Sequence, residues 1–165
     1  MRTLLTAILC VSALSAADAV RRAPGFALPD SRGNIYDLAD YRGKIVVLEF
    51  MQTTCPHCAT FTGILNQLQQ RYGGKVAVLS VVNPPDAVQN VNTYASAHQV
   101  TYPIVMDCGQ MAYSYLRVQS FDLPQLYLID ENGMIQKEFA YSDSTKDVFE
   151  GKALFSHLDA MLKKK

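Results

Sequence analysis

An excess of charge of either sign is missing from this chain: 15 Lys and Arg face 15 Asp and Glu over 165 residues. Without an excess there is no field to gather nucleic acid or an anionic membrane, so neither is expected as a partner. The closing Lys163-Lys164-Lys165 reads as a solvated helix end. No apolar run reaches the roughly 20 residues of a confident membrane span. Internal repeats, low-complexity tracts and Pro/Gly-rich linkers are absent too, which leaves one domain with a core of its own. Cysteine is scarce, at positions 10, 55, 58 and 108. No second Cys/His pair follows at ligand spacing, which argues against a metal clip.

The first residues are read as a leader. Met1-Arg2 is a short positive start, Leu4 to Ala16 is apolar or small, and Ala17-Asp18-Ala19 offers a small-x-small cleavage signal. Residues 1–19 are therefore expected to be a secretory signal peptide and 20–165 the mature domain, periplasmic or otherwise extracytoplasmic. The rival is an uncleaved segment that anchors the chain to the membrane. Cys10 lacks a small residue just before it and is read as an ordinary part of the leader.

Three cysteines then remain, and two carry chemistry. Cys55-Pro56-His57-Cys58 directly follows the apolar run Ile45–Met51. A buried strand feeding a helix that opens on Cys-x-x-Cys is the arrangement of a thioredoxin-like redox site. At that junction unpaired helix N–H groups and the positive end of the dipole converge on the first sulfur and stabilise it as the nucleophilic thiolate. A purely structural disulfide is a poor use of this spacing, because so small a loop removes little unfolded-state entropy. Cys55 and Cys58 are thus expected to cycle between dithiol and disulfide. His57, inside the ring, places an imidazole beside the reacting sulfur. Glu49 sits in the middle of Ile-Val-Val-Leu-Glu-Phe-Met, where burial disfavours its ionised form. A poised acid beneath the cysteines could take the proton of Cys58; the alternative is an edge position reaching water. Cys108 is expected to be buried and inert. His98 and His157 are read as surface or packing residues.

The remaining pattern is α/β. Short strands around 26–28 and 35–36 flank a turn-rich stretch, and a strand spans 45–51. Apolar residues at Phe61, Ile64, Leu65, Leu68 and Tyr72 give a helix from Pro56 to Tyr72, stopped by Gly73-Gly74. The run Val76–Val82 predicts a strand covered on both faces. A second helix is expected from Pro84 to His98, a strand over 103–106 and a helix over 110–117. Strands at 126–129 and 135–141 flank the hairpin signal Asp130-Glu131-Asn132-Gly133, and one final helix is expected over 146–162. Together these give a central mixed sheet flanked by helices.

The order Ala23-Pro24-Gly25-Phe26-Ala27-Leu28-Pro29-Asp30, Tyr41-Arg42-Gly43-Lys44, Val46-Val47-Leu48-Glu49-Phe50, then Cys-x-x-Cys, resembles the TlpA/ResA-like thiol-disulfide oxidoreductases. These are exported members of the thioredoxin superfamily, of the AhpC/TSA-redoxin type. Leu123-Pro124 followed by Leu126-Tyr127-Leu128-Ile129-Asp130 and Gly133 is similar to the family's cis-proline loop and final hairpin. The resemblance implies a thioredoxin-like fold with an N-terminal β-hairpin extension and a central βα insertion near Asp86–Asp107. It makes Cys55 the attacking thiol, Cys58 the resolving one, and Pro124 a cis-proline facing them. Leu123 would offer backbone groups to an extended substrate, with Thr54 and Pro56 on the same rim. It implies protein thiol or disulfide substrates, a membrane electron-donor protein, a monomeric state and no bound cofactor. The chain departs from the pattern in three places. Thr54 replaces the usual Trp, and the chain has no Trp at all. Gly63 replaces a kinking Pro, and Glu49 stands where thioredoxin has an Asp and many relatives keep no acid. A reductase is favoured by the flanking sequence, while Pro56-His57 matches the oxidising DsbA type. Two further readings share the scaffold: a peroxiredoxin-like peroxidase, against which Gln52 stands where a Thr or Ser is needed, and a Sco-like copper-binding protein, which uses a wider cysteine spacing.

Overall fold

The computed structural model describes residues 20–116 and 122–163; the expected leader, 1–19, lies outside them. In chain order the elements are β1 (Arg21–Arg22), β2 (Ala27–Pro29), β3 (Ile35–Asp37), β4 (Ile45–Met51), α1 (Pro56–Tyr72), β5 (Val76–Val82), α2 (Val88–Ala97), β6 (Ile104–Met106), α3 (Gln110–Leu116), β7 (Gln125–Ile129), β8 (Met134–Ala140), α4 (Lys146–Phe149) and α5 (Lys152–Lys163). Among the described residues, six strands form the main sheet in the order β1-β8-β7-β4-β5-β6, and β2 and β3 form a separate hairpin.

β4 is the axis of the molecule. It runs parallel to β5 and antiparallel to β7, and all seven of its residues are buried. Two packed faces explain why its sequence is a continuous apolar run rather than an alternating one. The period of two still sorts the side chains. Ile45, Val47 and Met51 pack with Cys58, Phe61, Leu65 and Leu68 of α1 and with Leu154 and Leu158 of α5. Val46, Leu48 and Phe50 pack on the opposite face with Tyr115, Tyr127 and Ala112. The same period turns Glu49 toward α1, under the cysteines.

Two helices depart from the expectations. α2 begins at Val88, not Pro84, and the Pro84–Pro85 bond is cis. Asn83–Asp86 instead closes as a turn, Asp86 N–H donating to Asn83 O at 3.2 Å. Proline also lacks the N–H a helix needs, and it disfavours helical backbone in the residue before it. The final helix is divided into α4 and α5 at Gly151, whose φ is 92°. A Cβ there would also meet Ile64 Cγ2 at 3.0 Å, so glycine answers both a left-handed backbone and a close approach to α1. α1 itself runs unbroken through Gly63.

Candidate active site

α1 opens the site. Pro56 occupies its first turn, where a missing N–H costs nothing. Cys55 is the N-cap, with Sγ accepting the Cys58 N–H at 3.2 Å. The Cys55 thiol is half-buried and faces the Leu123 carbonyl, to which it donates at 3.7 Å. The Leu123–Pro124 bond is cis, Leu123 is half-buried and Pro124 buried. Tyr141, just past β8, donates its N–H to Pro124 O at 3.1 Å. Three segments far apart in sequence therefore meet around one sulfur. Thr54, Pro56 and His57 are exposed on its rim. The His57 ring stacks on Tyr141 with centroids 4.0 Å apart and planes 21° apart, and Tyr141 in turn packs edge-on against Phe149.

Beneath the rim the surroundings change. Cys58 is fully buried, and its thiol is pushed well up by burial first, then by the Glu49 charge and by Cys55. Glu49 is fully buried in the central strand, which excludes the alternative of an edge position reaching water. Desolvation raises its carboxyl to about 8, against a hydrogen bond from Ser80 that acts in the other direction. Ser80 is its cross-strand partner on β5, and the Ser80 hydroxyl donates to Glu49 Oε2. Glu49 Oε1 has no hydrogen-bond partner among the described residues. Behind Cys58, Thr62 donates to the Cys58 carbonyl at 3.1 Å and is 2.6 Å from the Tyr94 hydroxyl. With the Thr62 proton committed to that carbonyl, Tyr94 is the donor of the second bond. The buried Tyr102 hydroxyl faces Glu49, Thr62 and Ser80 without reaching hydrogen-bond geometry with any of them.

A third group holds the turn that precedes Cys55. Asp86 accepts from Thr53 N–H at 2.6 Å with one oxygen and from the Thr53 hydroxyl with the other. Gln52 Nε2 donates to Pro84 O at 2.9 Å, and Cys55 N–H closes the turn on Gln52 O at 3.1 Å.

All eight residues singled out in the sequence, Glu49, Thr54, Cys55, Pro56, His57, Cys58, Leu123 and Pro124, therefore line or underlie one site. Cys108, expected to be buried, is exposed at the turn before α3 and stands as a free thiol, because its neighbour Asp107 takes the inward position. Ser80, Thr62, Tyr94, Tyr141 and Asp86 escaped sequence reasoning. Ser80 alone left a signal, as the single polar residue in Val76–Val82; the others become visible only once register and helix placement are known.

The chain is similar to known proteins over most of its length. The model of the AhpC/TSA family matches residues 20–138. Thiol-disulfide oxidoreductase ResA of Geobacillus thermodenitrificans is 32% identical over 126 residues, 76% of this chain and 71% of that protein. Thioredoxin-like protein YneN of Bacillus subtilis is 32% identical over 118 residues, 70% of this chain and 68% of that protein. Among solved structures, a hypothetical protein from Sinorhizobium meliloti superposes with a TM-score of 0.74 at 24% identity, covering 92% of this chain and 87% of that one. A protein provisionally described as thiol:disulfide interchange protein DsbE, from Chlorobium tepidum, gives 0.69 at 23% identity, covering 84% and 97%. The fold is thioredoxin-like, and the chain belongs to the AhpC/TSA family as a ResA-like thiol-disulfide oxidoreductase.

Proposed function

We propose that this oxidoreductase is an exported reductase of protein disulfides, cycling electrons through Cys55 and Cys58 without a bound cofactor. The observation that carries the reading is the contrast between two sulfurs on one helical turn: Cys55 half-open opposite the Leu123 carbonyl, Cys58 sealed above Glu49. An extended substrate segment would pair with the Leu123 backbone by strand addition, with Thr54, Pro56 and His57 bordering it.

In the first step the Cys55 thiolate attacks one sulfur of the substrate disulfide. A Cys55–substrate bond forms, the substrate's own S–S bond breaks, and the departing sulfur takes a proton from solvent. In the second, Cys58 gives its proton to ionised Glu49 and attacks Cys55 Sγ. The mixed disulfide breaks, the second substrate thiolate leaves, and Cys55–Cys58 is left oxidised. Two electrons have moved to the substrate. A dithiol on a membrane electron-donor protein would return them. A carboxyl poised at about 8 serves both directions: ionised it accepts the Cys58 proton, and protonated it returns that proton when Cys58 is the leaving group.

Export rests on the leader pattern of residues 1–19, and a secreted disulfide oxidoreductase of Mycobacterium tuberculosis shares the fold, with a TM-score of 0.63 at 17% identity. No described helix is long and apolar enough to cross a membrane. The mature domain is read as a monomer. A peroxidase reading fares poorly, since Gln52 stands where a hydroxyl is required and its amide is engaged by Pro84.

Cys58→Ser should accumulate mixed disulfides between Cys55 and host proteins, resolved by diagonal gels. The Cys55–Cys58 potential should lie near thioredoxin's, about −270 mV; a value near DsbA's, about −120 mV, would reverse the direction of electron flow. Absence of any trapped partner would defeat the reading.

A further inference from the structure

We infer that Asp86, in the insertion that follows β5, is a positioning residue for both redox sulfurs. The inference deepens the proposed function and rests on its assignment of Cys55 and Cys58.

The two cysteines are reached through a short turn, Gln52-Thr53-Thr54, which leaves the sheet at Met51 and delivers Cys55 to the head of α1. Such a turn has few contacts of its own. Its shape is fixed from outside, by the turn Asn83–Asp86 at the end of the neighbouring strand. Four hydrogen bonds join the two segments. Asp86 takes the Thr53 N–H at 2.6 Å and the Thr53 hydroxyl, one on each carboxylate oxygen. Gln52 Nε2 reaches Pro84 O at 2.9 Å, and Asn83 N–H reaches Met51 O at 3.4 Å. The carboxylate is the strongest member, because charge-assisted bonds to two donors fix direction as well as distance.

What the clamp holds is the local field at the sulfurs. With Thr53 fixed, Gln52 turns its carbonyl to the Cys55 N–H at 3.1 Å and its own N–H toward the Cys58 sulfur. The Cys58 N–H meanwhile points at Cys55 Sγ at 3.2 Å. Both sulfurs therefore face a backbone donor whose aim depends on this turn, and these bonds favour sulfur bearing negative charge over a neutral disulfide sulfur. A neutral disulfide sulfur gains less from such donors than a thiol carrying negative charge, so the clamp stabilises the dithiol form relative to the disulfide. Titratable groups near the pair are His57 on the rim, Glu49 on β4 and Tyr94 on α2; Asp86 approaches it through Thr53.

The test compares reduction potentials of the full mature chain, by glutathione equilibration, for the wild type, Asp86→Ala, Asp86→Asn and Thr53→Val. Asp86→Ala should make the disulfide about tenfold harder to reduce, a potential roughly 30 mV more negative. Asp86→Asn, which keeps an acceptor for the Thr53 N–H, should recover part of that shift, and Thr53→Val, which removes the hydroxyl bond alone, should lose part. Ile129→Ala, in the core on the opposite face of the sheet, supplies the control: it lowers Tm without moving the potential. Should Asp86→Ala lower Tm while holding the wild-type potential, Asp86 is only structural and the inference falls. Should Asp86→Ala fail to fold, a wild-type potential in both Thr53→Val and Asp86→Asn overturns it equally. If the wild type itself exchanges no disulfides, the proposed function has failed instead, a separate outcome.

Discussion

Cys55 and Cys58 are the same residue type three positions apart, yet they occupy two different solvents. Cys55 caps a helix, borders water and meets backbone polar groups. Cys58 lies among Phe61, Leu65 and Met51, close enough to a buried carboxyl to feel its charge. In the proposed cycle reactivity is therefore assigned by position: the helix terminus selects the sulfur that attacks, and the core selects the one that waits. The lesson extends to the acid, since the desolvation that holds Cys58 as a thiol also holds Glu49 near its midpoint at about 8.

The contrast can be broken most directly at the sulfurs. Iodoacetamide at neutral pH should label Cys55 and the exposed Cys108 in the reduced native protein, and Cys58 only after unfolding; peptide mapping reads the three sites. Comparable labelling of Cys55 and Cys58 would erase the asymmetry on which the mechanism stands. Cys55→Ser should abolish exchange altogether, and Cys58→Ser should stop it at the mixed disulfide.

Glu49→Gln sharpens the comparison from below. Resolution of a preformed mixed disulfide, followed by stopped flow, should slow by about 10²-fold, and the wild-type rise in rate as Glu49 ionises toward pH 8 should vanish. The variant also has a stability signature. Folding raises this carboxyl from an ordinary 4.5 to about 8, so across that window the native state binds a proton the unfolded chain has lost. Stability is then full below about pH 4.5 and falls as pH rises through 8, by roughly 5 kcal/mol in the limit of that shift. Urea unfolding of Glu49→Gln should lack this slope. A variant with the wild-type slope would place the titration elsewhere.

Smaller effects are expected at the rim. Tyr141→Ala removes the ring beneath His57 and should change the apparent affinity for peptide substrates a few-fold, with the rate of Cys58-dependent resolution held; KM and kcat separate the two. Smallest of all is Cys108→Ser, which should leave exchange rate and potential at wild-type values. A loss of activity there would bring the third thiol into the cycle.

Much of this arrangement was legible before any coordinates. The Ile45–Met51 run, the helix from Pro56 to Tyr72 and the hairpin expected over 126–141 follow from periodicity and turn residues, and their observed bounds agree within a residue or two. Glu49 was readable because an acid inside an apolar run has to be explained. What stayed hidden depends on register or on single backbone conformations. Ser80 meets Glu49 because β4 and β5 pair in one particular alignment, which no local pattern specifies. The division of the last helix rests on one glycine that an amphipathic stripe spans without interruption. Cys108 was misjudged because small residues are usually buried, and here Asp107 occupies the inward position instead.

The stretch from Arg21 to Asp30 has an effect wider than its few hydrogen bonds imply. At one side β1 pairs with β8; at the other, Asp30 bridges Val105 on β6. One short length of chain thus ties into both margins of the sheet, pairing with the first two residues of β8 at one and bridging the middle of β6 at the other. Removing that strap would therefore loosen the molecule at two remote borders in a single stroke.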